Sequence, residues 1–157
     1  MSAQQMYDTP PLGALIRYSD GTPRPPERFK KKLAAWQRTN GLGRLIQKQP
    51  GRQIGNYSMP ASITLHKGDL AGGGVIMVAI HESFSVTSSL AFEVVEAPPV
   101  GSARVLDIRG GEQELLHLAP DCAAAKAWLL ANRYSDAIID EVTADKVAAQ
   151  VVEGRAA

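Results

Sequence analysis

Arg104-Val105-Leu106-Asp107-Ile108-Arg109, Gly110-Gly111, Glu112-Gln113-Glu114-Leu115-Leu116-His117-Leu118: two alternating stretches flank a glycine pair, the pattern of a β-hairpin with a two-residue turn. Such a turn sets Leu106 opposite Leu115 and Arg109 opposite Glu112, both favourable. It also sets Asp107 opposite Glu114, which is unfavourable, and brings His117 beside Arg104. A local hairpin of this kind argues for antiparallel pairing.

Working toward the C-terminus, Pro120-Asp121 opens a helix from Cys122 to about Asn132, rich in alanine and leucine around Trp128. Residues 137–142 are short and contain the β-branched pair Ile138-Ile139, so they read as a strand rather than a helix. Thr143 suits the N-cap of a last helix over residues 144–152, and residues 153–157 should fray.

Working toward the N-terminus, Phe84 to Thr87 and Leu90 to Val94 read as strands joined across Ser88-Ser89. Ser62-Ile63-Thr64-Leu65-His66 alternates apolar with polar, as a half-buried strand does. Residues 67–74 read as a loop. The run Val75-Ile76-Met77-Val78-Ala79-Ile80 suits a central strand covered on both faces. Arg44 to Lys48 is a further strand, closed by Gln49-Pro50-Gly51, and Leu12 to Tyr18 another, ended by Ser19-Asp20-Gly21.

The prolines of residues 22–26 enforce an extended segment. Pro26 then starts a helix running to about Thr39. Within it Phe29, Leu33 and Trp36 form one apolar stripe, expected to face the core, with Lys31 and Arg38 opposite it. Residues 1–11 should fray. Hairpins outnumber strand–helix–strand crossovers, so the expected fold is α+β: a mostly antiparallel sheet of short strands and hairpins with about three helices. All 157 residues should form a single domain.

Charge is distributed unevenly. The first 52 residues hold ten of the seventeen Lys and Arg but three of the sixteen Asp and Glu, about +7 under a net charge of +1. Arg24, Arg28, Lys30, Lys31, Lys32, Arg38, Arg44, Lys48 and Arg52 form a basic segment over residues 22–52, interrupted only by Glu27. Clustered Lys and Arg neutralise several phosphates at once, and they equally complement an acidic protein surface. Trp36 and Phe29, sharing the apolar stripe, read as packing residues rather than base-stacking platforms.

Other chemistries find less support. Gly72-Gly73-Gly74 precedes a strand rather than a helix, and Gly41-Leu42-Gly43 lacks a third glycine; both read as turns rather than phosphate loops. If residues 67–74 form the loop of a hairpin, His66 and His81 lie well over ~10 Å apart, so no metal site is expected. Cys122 at a helix start, with His117 five residues earlier, is the best nucleophile–base pair available. A small buried cysteine in an alanine-rich helix explains it better. Neither an enzyme nor a cofactor is expected. The single cysteine excludes an internal disulfide. With no leader and no apolar run near ~20 residues, the cytoplasm is the default compartment.

The expected function is thus that of a small non-enzymatic binding protein whose basic face engages nucleic acid or a nucleoprotein machine. The alternative is a protein–protein inhibitor or adaptor acting through charge complementarity and an unpaired sheet edge.

Overall fold

The computed structural model describes residues 1–156, apart from the side chains of Met77 and residues 152–156. It is α+β, with 14 elements in the order α1 (Ala3–Asp8), β1 (Leu15–Ser19), α2 (Lys30–Thr39), β2 (Gly41–Gln49), β3 (Arg52–Ile54), β4 (Tyr57–Met59), β5 (Ser62–Gly72), β6 (Val75–Ser85), β7 (Ala91–Glu96), β8 (Ala103–Arg109), β9 (Glu112–Ala119), α3 (Cys122–Asn132), β10 (Ala137–Glu141) and α4 (Ala144–Ala156).

Eight strands make one antiparallel, curled sheet, while β3 and β4 form a separate small hairpin. Strand β2 is the pivot. Along one edge it pairs first with β1 (Tyr18 opposite Gly41) and then, at Gln47, with Glu114 of β9. Its other edge carries β5, with an extra residue, Ile46, bulging between Leu45 and Gln47. A bulge of this kind sharpens the local bend, letting one strand serve three neighbours. Gly41 and Gly43 are needed in this strand. A Cβ at Gly41 would stand 2.5 Å from the Tyr18 hydroxyl, and one at Gly43 would stand 2.9 Å from Leu65 Cβ. Gly41-Leu42-Gly43 is therefore close-packed strand, not a turn.

The main core is built from residues of the sheet strands and α1. Tyr18, Ile16, Leu45, Ile63 and Leu65 are fully buried, and the rings of Tyr18, Phe84 and Phe92 meet at centroid distances of 4.7 and 5.5 Å. The N-terminus closes this core instead of fraying. Helix α1 has a reciprocal capping box between Ser2 and Gln5, buries Ala3 and Met6 completely, and is pinned where the Met1 ammonium donates to the Phe92 carbonyl at 2.7 Å. Its brevity hides it from periodicity arguments. A second cluster of Ala103, Val105, Ala119 and Ala125 lies under α3, which Asp121 caps by accepting from the Ala124 amide at 2.7 Å.

The β8–β9 hairpin has the expected pairs Leu106–Leu115, Asp107–Glu114 and Arg109–Glu112. Asp107 is compensated by Arg109, whose Nε lies 2.7 Å from its carboxylate. A bulge beyond Leu106 shifts the register, so His117 faces Val105 rather than Arg104. Residues 137–141 are a strand, as expected. Helix α4 continues to Ala156, and the expected fraying of residues 153–157 concerns side chains outside the described residues.

Three expectations fail for identifiable reasons. Residues 67–74 are not a loop: β5 and β6 run on to a tight turn at Gly73-Gly74, where both residues have positive φ (61° and 81°). The glycine pair alone makes the turn. The run Val75–Ile80 is consequently no covered central strand. Among the described residues it pairs only with β5, and Val75, Ile76, Val78 and Ile80 are all exposed. Ser88-Ser89 joins no hairpin, because β7 pairs with β1 instead.

Candidate functional site

The basic segment separates into two parts. Helix α2 begins at Lys30 rather than Pro26, with Phe29 as an N-cap that supplies no side-chain hydrogen bond. It buries none of its residues, and Phe29 is 42 % exposed. The Phe29-Leu33-Trp36 stripe is therefore not a core face. Amphipathic spacing reports that a helix has two faces, not that a core exists to receive one.

Residues 20–40 instead form an arm tied at its base. The Asp20 carboxylate accepts from the Thr22 hydroxyl and amide, the Thr39 hydroxyl (2.6 Å) and the Asn40 amide nitrogen (2.9 Å). The Thr22 hydroxyl, then the Thr39 hydroxyl and the Asn40 side-chain amide, hold the Asp20 carboxyl far below the usual carboxylate range. Trp36 Nε1 closes the arm by donating to the Thr22 carbonyl at 2.9 Å.

Six of the nine cations sit on this arm. Arg24 pairs with Glu27 at 3.2 Å. Arg28 and Lys32 lie over the Phe29 ring, 4.7 and 5.4 Å from its centroid. Lys30, Lys31 and Arg38 make no ion pair among the described residues. The other three cations are distributed along β2 and β3. Arg44 donates to the Gly13 carbonyl at 2.6 Å, Lys48 borders a cavity of about 530 Å³ with Arg104 and Glu112, and Arg52 pairs with Glu112 at 3.2 Å. Six of the nine thus lie on the arm and three on the strands β2 and β3.

A feature missed in the sequence is a groove of about 590 Å³ between the β5–β6 hairpin and the β9–α3 unit. All three histidines of the chain line it. His66 and His81 are direct partners across β5 and β6, their rings 5.6 Å apart and edge-on. This overturns the expected wide separation, because the turn lies at Gly73-Gly74 and the two register shifts between it and His66 offset each other. Arg44 is in turn the partner of His66 across β2 and β5. Arg44, His66 and His81 thus form a row over three adjacent strands. His66 Nε2 is held by Asp69 Oδ1 at 2.7 Å.

The opposite wall is aromatic. His117 stacks on Trp128 at 4.9 Å with ring planes 3° apart, and Trp128 stacks on Tyr134 at 5.6 Å and 7°. Burial pushes the His117 pKa down, so this ring is a neutral packing partner near pH 7. The Cys122 thiol is pushed up, by burial first and then by the Glu141 carboxylate. That is the opposite of an activated nucleophile, and no hydrogen bond joins it to His117 among the described residues. Among the described residues, no three His, Cys, Asp or Glu are placed to hold a metal ion, and no helix is long and apolar enough to cross a membrane.

No curated protein and no solved structure matches this chain. Residues 1–146 match the family described as "Uncharacterised conserved protein UCP036055", and the chain belongs to that family.

Proposed function

We propose that this protein binds nucleic acid through the arm of residues 20–40. The observation that supports this is the arm itself: six Lys and Arg against Glu27 and the Asp20 at its base, on a helix and loop that bury no side chain of α2. A cationic helix used for packing would turn its apolar stripe inward; this one presents cations and half-exposed apolar groups together. Phosphate contacts of this kind supply affinity that is independent of base sequence and falls steeply with salt. The test is retention of labelled DNA or RNA at low salt by the native chain and by the triple variant Lys31→Glu, Lys32→Glu, Arg38→Glu. Retention by the native chain and weaker retention by the variant support the reading; equal retention by both, or retention by neither, refutes it.

A second reading, an adaptor that adds a partner's strand to a sheet edge, is favoured by β6. Its outer edge is unpaired among the described residues and exposes Val75, Val78 and Ile80, the kind of edge that proteins normally protect. This reading predicts a stoichiometric protein partner that survives nuclease treatment and is lost in Val78→Lys.

A further inference from the structure

The groove carries an inference that deepens the nucleic-acid reading, and rests on it for the class of polymer. We infer that it takes one nucleotide of a single strand, with the phosphate on the row Arg44, His66 and His81 and the base on the open face of Tyr134. Direct register partners present their side chains on one face of the sheet, and strands lie ~4.8 Å apart, so this row spans about 10 Å of the groove wall. Arg44 spends one of its five N–H donors on Gly13, leaving others for an oxyanion. Asp69 occupies only Nε2 of His66.

The facing wall fits a base. Both faces of Trp128 are taken, by His117 and Tyr134. Tyr134 is stacked on one face among the described residues and is 44 % exposed, so the column of rings is extended only there. Glu114, also lining the groove, offers an acceptor for an exocyclic amine. Packing of α3 accounts for the Trp128 stack by itself. It does not account for two histidines and an arginine arrayed on the wall across from that stack. The groove volume falls within the range of small-molecule sites, roughly 300–1,000 Å³.

Position links the groove to the arm. Arg44 lies three residues beyond Gly41, where β2 leaves the arm, so about 10 Å of extended chain connects the two. A duplex keeps its bases stacked inside, so only an unpaired base reaches Tyr134.

The experiment titrates adenosine 5′-monophosphate, and separately inorganic phosphate, into the full chain while imidazole and tyrosine ring resonances are followed by NMR. The three histidines are assigned by single substitutions to Gln. The expected result is saturable shifts at His66, His81 and Tyr134 with the mononucleotide. Affinity should fall roughly 5- to 160-fold in Tyr134→Ala, the worth of one base stack, and be retained in Tyr134→Phe. Absence of saturable shifts, equal affinity in Tyr134→Ala, or identical responses to phosphate and to the mononucleotide would overturn the inference. The triple arm variant separates the two claims. It should bind the mononucleotide as the native chain does, so a silent groove with intact oligonucleotide retention removes the groove alone. A responsive groove without oligonucleotide retention removes the arm alone.

Discussion

Reversing charge at Lys31, Lys32 and Arg38 should change how salt acts on nucleic-acid binding, not just its strength. Of the six arm cations, Arg24 is already paired with Glu27, which leaves five for phosphates. On duplex DNA the logarithm of affinity falls with the logarithm of salt at a slope of about −0.9 per phosphate neutralised. Five contacts give a slope of about −4.5, a loss of about 500-fold between 50 and 200 mM salt. The triple variant keeps two contacts, a slope of about −1.8, and a loss of only about 12-fold over the same interval. Fluorescence anisotropy of a labelled duplex across that range reads both slopes. The side chains are exposed and α2 buries nothing, so the variant should keep the native melting temperature. A native slope near −1, or a variant slope equal to the native one, would refute the assignment of the arm as the phosphate-binding element.

Other consequences concern the framework. Met6→Ala should lower stability by about 2–5 kcal/mol, because Met6 is fully buried; denaturation within about 0.5 kcal/mol of the native protein would return α1 to the status of a loose end. Asp20→Asn should speed amide exchange over residues 22–39 while leaving the sheet unchanged, since Asp20 ties the arm at Thr22, Thr39 and Asn40; unaltered exchange there would show that the tie is redundant. Asp140 is pushed up by burial but drawn down more strongly by hydrogen bonds from Lys146 and Arg104, for a net lowering. Its folded-state value is thus below the unfolded one, so its contribution is present above about pH 4 and lost as pH falls through the depressed value. Asp140→Asn should therefore be less stable than the native chain at pH 7 and match it near pH 2 in denaturant titrations. A gap that persists unchanged at pH 2 would point to a packing defect instead.

How far the sequence reached follows the range of the interactions involved. The β8–β9 hairpin, α3 and β10 were legible because each rests on neighbours close in sequence: a Gly110-Gly111 turn, an Asp121 cap, a β-branched pair. Helix α2 was placed about one turn early at its start, and its burial was not legible, since that depends on whether another element covers the stripe. The run Val75–Ile80 misled for a related reason. Apolar content is the same for a covered strand and for an exposed edge, and only pairing distinguishes them. The arm cations were visible as composition, while the placement of Arg44 and Lys48 on β2 and of Arg52 on β3 follows from the strand path. The groove was hidden behind one choice, the position of a turn. Centring the hairpin on Gly73-Gly74 rather than on residues 67–74 brings His66 opposite His81; Arg44, Trp128 and Tyr134 join them only through long-range pairing.

The central claim, that the arm is where nucleic acid is held, is tested most directly by photo-crosslinking the native chain to a short oligonucleotide at low salt and sequencing the modified peptides. The account predicts adducts concentrated in residues 22–38, with Phe29 and Trp36 among the modified side chains, and their loss in the triple charge-reversal variant. Adducts absent from that segment, or unchanged in the variant, would contradict it.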